Sequence, residues 1–168
     1  MSFSGVMPGM QGSMVRLAFD QPDSAAASAA AGVYTADIKI PGGCILVDVG
    51  LHAVALWNAG TSAAAIVGDV DDPNGYFDAV NLKATDLLAG ESINLVAHGG
   101  KAGAYVVGTL PTGHWEARYD ADERTLTCEI TTVGDAPTTG ESIFWATWIE
   151  VPKEHPHGRL PYGTYVAS

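Results

Sequence analysis

Apolar and polar residues alternate along most of the chain, in short stretches that follow one another closely. A period of two places every second side chain on one face, as in a β-strand with one buried side. The longest stretch runs from Ile45 to Trp57, as one strand or as two strands joined at a bend near Gly50. The pattern predicts strands at Val15–Phe19, Val33–Ile40, Ile45–Trp57, Ala64–Asp69, Ala104–Val107, Trp115–Tyr119, Thr125–Thr132 and Ser142–Ile149.

Turn-forming residues separate these stretches, and helical patterns are few. Pro41-Gly-Gly43, Asn58-Ala-Gly60 and Gly134-Asp-Ala-Pro137 are typical of turns between strands. The segment Asp78–Leu88 has room for one helical turn but carries no long amphipathic stripe. Many short strands joined by turns indicate an all-β sandwich or barrel. We expect a jelly-roll-like β-sandwich.

The predicted sandwich spans residues 32–151, and both flanking segments are predicted to be extended. Residues 1–31 form an N-terminal arm with little to bury, and residues 152–168 form a C-terminal tail with three prolines and two glycines. We expect both arms to dock on neighbouring chains, with Val15–Phe19 adding a strand to a partner's sheet. On this hypothesis, deleting residues 1–31 leaves a folded domain that no longer binds its partners.

Charge excludes several classes of partner. The 168 residues carry 19 acidic and 8 basic side chains, a formal net charge of −11, so binding to nucleic acid or to an anionic membrane is not expected. Only 16% of the residues are charged, although 47% are hydrophobic. This low charge density favours a packed domain whose surface lies largely against other protein chains. No secretory signal and no apolar stretch long enough for a spanning helix are seen.

The sequence predicts no catalytic, cofactor or metal site. The acidic segment Asp69–Asp78 is oxygen-rich, but it departs from the spacing of an EF-hand loop, so it is expected to be a turn, with a structural cation as the alternative. The His155-Pro-His157 pair lies in the tail, and Cys44 and Cys128 are expected to be buried, reduced thiols. Glu116 and Glu129 are expected on the solvent side of strands, and no nucleophile motif is present, so the chain is not expected to be an enzyme.

Aromatic residues are the remaining candidates for a binding site. In Ser142–Ile149, Phe144, Ala146 and Trp148 share one face, whereas Trp145, Thr147 and Ile149 share the other. A strand with bulky residues on both faces is either central and covered by loops or part of an intersubunit contact. Other aromatics lie near predicted turns, where they either anchor loops or form a platform for a sugar: Trp57, Tyr76, Phe77 and Trp115.

Five motifs between Val33 and Val151 follow one another in a distinctive order. They are Ala36-Asp-Ile-Lys-Ile-Pro-Gly-Gly43, Leu46-Val-Asp-Val-Gly50, Ile66-Val-Gly-Asp-Val-Asp-Asp-Pro-Asn-Gly-Tyr-Phe77, Ala117-Arg-Tyr-Asp-Ala-Asp122 and Gly140-Glu-Ser-Ile-Phe-Trp-Ala-Thr-Trp-Ile149. This order resembles small virion structural proteins of tailed bacteriophages, among them β-sandwich decoration (cement) proteins. The resemblance implies a non-enzymatic protein, made in the host cytoplasm, that binds the major capsid protein on the outer surface of the head. It also implies a homo-oligomer, with a trimer favoured.

The alternatives are a tail or neck protein, such as a tube, terminator or fibre-base component, and a glycan-binding or adhesion module. For the leading hypothesis, we expect partner contacts from apolar residues of the arms and of the last strand. The candidate residues are Val15, Leu17, Phe19, Trp145, Trp148, Tyr162 and Tyr165.

Overall fold

Nine strands and one helical turn account for the regular structure of the described residues. The structure is a computed structural model, and it describes residues 10–20, 31–107 and 119–151. The elements are β1 (Gln11–Ala18), β2 (Ala31–Ile40), β3 (Cys44–Ala55), β4 (Ser62–Gly68), β5 (Phe77–Asn81), β6 (Ser92–Asn94), α1 (Ala104–Val107), β7 (Tyr119–Asp120), β8 (Arg124–Val133) and β9 (Glu141–Glu150).

The strands form two antiparallel sheets by nested pairing. Strand β1 pairs with β9, β2 with β8, β3 with β6 and β4 with β5, so the first long strand meets the last and the middle strands meet each other. Strand β9 also pairs with β3, and β8 with β4, which gives the sheet orders β1-β9-β3-β6 and β2-β8-β4-β5. The two-residue strand β7 lies beside β3 in the first sheet. This arrangement is a jelly roll, and it confirms the predicted all-β sandwich.

The two sheets enclose one hydrophobic core, which follows directly from the alternation in the sequence. Every second residue is buried from Leu126 to Thr132 in β8 and from Ser142 to Trp148 in β9. Trp57, in the loop after β3, closes one part of the core: its ring centroid lies 4.7 Å from that of Tyr34, edge to face. Its indole N–H donates a hydrogen bond of 3.1 Å to the buried Ser142 hydroxyl.

A bulge changes the alternation within β3. The register of β3 against β9 shifts between Leu46 and Asp48, so that Val47 is an extra residue. Leu46, Val49 and Leu51 therefore share the core face. A strict period of two would place Leu46 on the opposite face from Val49 and Leu51, because alternation alone does not reveal an inserted residue. The predicted long strand through Gly50 is otherwise confirmed as a single strand.

Two local predictions were wrong. The segment Ala104–Val107 is one helical turn and not a strand, because the N–H groups of Val106 and Val107 both donate to the Gly103 carbonyl. The segment Asp78–Leu88 contains no α-helix: β5 runs through Asn81, and turns follow it. The short strands β5 and β6 were not predicted. Of the predicted strand Trp115–Tyr119, only Tyr119 lies within the described residues, at the start of β7.

The structure also corrects the predicted role of the first strand. Residues Gln11–Ala18 pair with β9 of the same chain and not with a partner's sheet, so the segment belongs to the sandwich. The physical reason is that Leu17 and Ala18 are buried, with 3% and 1% of their surface exposed. The hydroxyl of Tyr34 also donates to the Phe19 carbonyl at 3.2 Å, which ties the end of β1 to β2. The remaining parts of the predicted arms (1–9, 21–30 and 152–168) lie outside the described residues.

This placement reverses the expectation that the first 31 residues are dispensable for folding. We predict that Leu17→Ala lowers the free energy of unfolding by about 2–3 kcal/mol, because it removes a core side chain and leaves a cavity. Met14→Ala, at an exposed position of the same strand, should change it by less than about 0.5 kcal/mol. Urea denaturation followed by circular dichroism measures both. Equal stability of the two variants would contradict a structural role for β1.

Candidate interaction surface

The outer faces of the two sheets differ in chemistry. The outer face of β2-β8-β4-β5 is dominated by threonine and charged side chains that bond to one another. Thr127 donates to Asp37 at 2.7 Å, and Thr131 donates to Glu129 at 3.1 Å. Glu129 thus lies on the outer side of β8, as the alternation predicted. These groups suit contact with water.

The outer face of the other sheet carries more apolar side chains, interspersed with the polar residues Thr147, His52 and Ser92. Strand register places its side chains in rows: Met14, Trp145 and Gly50 form one row, and Ile149, Ile45 and Tyr119 form another. Met14 and Tyr119 are exposed, at 72% and 56%, and the others that carry side chains are half-buried. We call this surface the Trp145 face; its apolar members are Met14, Ile45, Tyr119, Ile143, Trp145 and Ile149.

Gly50 allows the indole ring of Trp145 to lie across the sheet. A Cβ atom at Gly50 would lie 2.2 Å from Cζ2 and 2.3 Å from Cε2 of Trp145, and 2.7 Å from the Ile93 carbonyl oxygen. The ring therefore occupies the space that a side chain on β3 would fill. The consequence is a flat aromatic surface at the centre of the sheet, with Met14 on the opposite side of β9.

Charged groups on the Trp145 face are paired or hydrogen-bonded. Arg16 donates from Nε and Nη2 to both carboxylate oxygens of Glu141, at 2.7 and 3.1 Å. This pair lowers the pKa of Glu141 through the hydrogen bond and the positive charge of Arg16, and it raises the pKa of Arg16. Asp48, at the bulge, accepts from the Asn94 side chain and from the backbone N–H groups of Val49 and Leu95. The face thus presents little unpaired charge.

The structure distributes the sequence-predicted partner residues over different environments. Leu17 and Trp148 are buried in the core, and Val15, on the same side of β1 as Leu17, is half-buried. Phe19 is 37% exposed just after β1, and Trp145 lies on the outer face. Tyr162 and Tyr165 lie outside the described residues. The structure therefore does not bring Trp145 into one surface with the other four candidates that it describes.

Sequence reasoning missed the other members of the Trp145 face. Met14, Ile45 and Tyr119 come from three different strands, and only the pairing of β1, β3 and β7 places them beside or near β9. The signal in the sequence for this surface was the presence of bulky residues on both faces of β9. That pattern pointed to Trp145 and Ile149, and the predicted division between the two faces of the strand is confirmed.

The acidic segment Asp69–Asp78 is held together by its own carboxylates. Asp69 Oδ1 accepts from the N–H groups of Asp71 and Asp72, at 3.1 Å each, and from the Tyr105 hydroxyl at 2.9 Å. Burial and this contact raise the pKa of Tyr105. Within residues 10–20, 31–107 and 119–151, no group of three or more His, Cys, Asp or Glu side chains is arranged to hold a metal ion. These carboxylates act here as turn-stabilising acceptors.

The structure also shows the environment of the other residues that the sequence analysis considered. Trp57, Tyr76 and Phe77 are buried, at 1%, 1% and 0% exposure, so they anchor loops and present no ring to a sugar. Cys44 and Cys128 are buried and unbonded to each other, as expected, and burial raises the pKa of both thiols. Trp115, Glu116 and the His155-Pro-His157 pair lie outside the described residues. No helix of the described part is long and apolar enough to cross a membrane.

Comparison with known proteins shows the fold. No protein-family model and no curated protein matches the chain. A chain of the cyanophage Pam1 capsid asymmetric unit is similar at a TM-score of 0.55 and 17% identity, over 90% of this chain and 91% of that one. The chain therefore shares its fold with a component of a phage capsid structure.

Two further capsid structures match less closely. A chain of the Ralstonia phage GP4 capsid has a TM-score of 0.44 and 17% identity, over 91% of this chain and 92% of that one. A chain of the acid-stable capsid of Helicobacter pylori bacteriophage KHP30 has a TM-score of 0.44 and 12% identity, over 83% and 93%.

The contact between Gly50 and Trp145 gives a direct test of the face. We predict that Gly50→Ala lowers the free energy of unfolding by about 1–3 kcal/mol, because the added methyl group overlaps the indole ring and the Ile93 carbonyl. In a Trp145→Ala background the cost should be smaller, since only the carbonyl contact remains. A double-mutant cycle by urea denaturation measures the difference. Identical costs in both backgrounds would show that the ring does not lie over Gly50.

The ion pair between Arg16 and Glu141 gives a second test of the structure of this face. Because the pKa of Glu141 is lowered in the folded chain, the pair stabilises the fold above the ordinary carboxyl pKa, and this contribution is lost as the pH falls through the lowered value. We predict that Arg16→Gln returns the pKa of Glu141 toward its ordinary value in a side-chain carboxyl NMR titration. Lys39→Gln, which removes the looser 3.8 Å pair with Glu123, is the matched control and should leave Glu141 unchanged. An unshifted Glu141 in Arg16→Gln would contradict the pairing.

Proposed function

We propose that the chain is a structural protein of a phage virion. More specifically, we propose a non-enzymatic decoration (cement) protein that binds the major capsid protein on the outer surface of the head. The observation that carries this proposal is the jelly-roll fold shared with a chain of the cyanophage Pam1 capsid, which extends over about nine-tenths of both chains.

The surface chemistry supports a role in assembly. A decoration protein acts through extended contacts with its neighbours, and the Trp145 face offers an apolar sheet surface with an aromatic centre, of the composition found at the centres of protein interfaces. Such a face exposed on a single chain marks an interaction site. The proposal thus assigns the apolar face to protein contacts and the threonine-rich face to solvent.

Charge supports a position outside the shell. The net charge of −11 repels packaged DNA, so an outer location avoids an unfavourable interaction that a lumenal location would impose. The proposal includes a homo-oligomer, for which the family resemblance favours a trimer. The non-enzymatic assignment is supported by the roles of the most reactive side chains: both thiols are buried, and the carboxylates of Asp69 and Asp72 accept backbone hydrogen bonds within a turn.

Copy number in the virion tests this function. We predict that quantitative mass spectrometry of purified particles finds the chain in numbers approaching those of the major capsid protein. A decoration protein follows the lattice, whereas a tail or neck protein is limited to the few copies that its ring or fibre holds. A tail protein quantified in the same particles is the low-copy control. Copy numbers equal to that control would favour the tail or neck alternative, and absence from the particles would refute a virion role.

A further inference from the structure

We propose that the C-terminal tail of one copy, residues 152–168, binds the Trp145 face of a neighbouring copy, and that three such contacts close a ring. The inference deepens the proposed function by naming the contact between copies, and it rests on the homo-oligomer which that function includes. Its test uses the isolated chain in solution, whereas the proposed function is tested by copy number in the virion. Failure of one is therefore distinguishable from failure of the other.

The path of the chain at the end of β9 directs the tail away from the Trp145 face of its own copy. The N–H of Val151 donates to the Gly43 carbonyl at 2.9 Å, which continues the ladder between β3 and β9, so Val151 still follows the line of β9. Pro152 comes next, and a residue before proline favours extended backbone. The chain therefore leaves the end of the sheet with Trp145 about 20 Å behind Val151 along the strand.

The tail is long enough to reach across a neighbouring copy. Its prolines, Pro152, Pro156 and Pro161, favour the extended polyproline conformation, in which a segment of this length spans about 50 Å. The strands of the sheet lie about 4.8 Å apart, so the Trp145 face is roughly 20 Å across. An extended tail thus covers the face of a neighbour and still bridges the gap between two sandwiches.

Charge distinguishes the tail from the rest of the chain. The tail contains the cations Lys153 and Arg159 and one acidic residue, Glu154, whereas the whole chain carries a net charge of −11. Contact between the sandwiches of two copies brings excess negative charge together, but contact between a tail and a sandwich brings opposite charges together. Electrostatics therefore favours the tail, and not the neighbour's sandwich, as the part of a second copy that lies on the face.

The Trp145 face offers both apolar and polar groups to a partner. Met14 is 72% exposed beside the flat ring of Trp145, and Thr147 lies two residues further along β9 on the same side. His52 and Ser92 are on neighbouring strands, with the imidazole Nδ1 2.7 Å from the hydroxyl oxygen. A partner for this face therefore needs side chains that bury apolar surface and also reach polar groups.

The tail supplies side chains of that kind. Tyr162 and Tyr165, which the sequence analysis proposed as partner residues, each combine an apolar ring with a hydroxyl that donates and accepts hydrogen bonds. Leu160 and Val166 add purely apolar groups. Tyrosine is enriched at the centres of protein interfaces for the same reason. The tail thus matches the mixed composition of the face as well as its charge.

The contact between a tail and a face agrees with the trimer that the proposed function carries. The two surfaces are different, so the contact is heterologous, and it repeats from copy to copy until a rotation closes the ring. In a ring of three, every copy gives one tail and receives one tail. No tail and no face is then left without a partner.

Cross-linking between two variants tests the proposal. One full-length variant carries Met14→Cys on the face, and the other carries Tyr165→Cys in the tail. The native Cys44 and Cys128 are buried, so they do not compete for a bismaleimide cross-linker. When the two variants are produced together in one cell and purified, we expect the cross-linker to join one chain of each kind, with the linked peptides identified by mass spectrometry.

A matched control and a second measurement accompany this experiment. Val70→Cys replaces Met14→Cys at a site that is 93% exposed in the loop after β4, and it should give at least fivefold less cross-linked product with Tyr165→Cys. Light scattering after size exclusion should find a trimer for the unmodified chain and a monomer after deletion of residues 158–168. Circular dichroism verifies that each variant folds.

Four results would overturn the proposal. The first three are equal cross-linking of Met14→Cys and Val70→Cys, a trimer that persists after the deletion, and an unmodified chain that is monomeric at every concentration. The fourth is cross-linking only within a single chain that carries both Met14→Cys and Tyr165→Cys, which would show that the tail covers the face of its own copy. None of these results changes the copy number expected of a virion protein.

Discussion

Strand β9 lies between β1 and β3, and this position is the constraint on which the rest of the structure depends. Strand β9, the last strand of the described residues, is held on one side by β1 and on the other by β3, the longest of the described strands. In this nested arrangement the paired strands lie far apart in the sequence. The sheets are complete only when these distant parts of the chain meet, so the sandwich forms as a unit. Leu17 and Ala18 at the end of β1 are buried by that closure.

The central position of β9 also explains its unusual composition. One face, with Phe144 and Trp148, fills the core, as the inner side of any sandwich strand must. The other face, with Trp145 and Ile149, lies on the outside of the sheet, where water would favour polar residues. The opposite sheet shows that preference, with threonines and carboxylates on its outer side. The apolar residues on the outer face of this sheet do not fill the core, and we therefore assign them to function.

The sequence predicted those parts of the fold that depend on local alternation. Strands β2, β8 and β9, the sandwich and the two faces of β9 follow from a period of two, because a half-buried strand imposes that period on its residues. The bulge at Val47 and the helical turn at Ala104–Val107 were not predictable in this way. Each depends on contacts made elsewhere: the first on the register with β9, the second on hydrogen bonds to Gly103.

The first strand and the interaction surface show the same limit more clearly. Alternation identified Val15–Phe19 as strand-like, but it does not say which strand is the neighbour, and the neighbour proved to be β9 of the same chain. Likewise, nothing in the local sequence relates Gly50 to Trp145. Their contact exists because β3 and β9 are adjacent in the sheet, and it places the ring flat on a surface that sequence reasoning had only partly outlined.

The most direct test of the central claim, that the Trp145 face is a protein contact in a virion, is a cryo-electron microscopy map of the virion in which the strands of this chain are resolved. Our account predicts the jelly roll on the outside of the shell, with protein density covering Trp145 and Met14 and with the threonine-rich face of the other sheet open to solvent. A map in which the Trp145 face points into solvent, or in which the threonine-rich face makes the protein contacts instead, would contradict it.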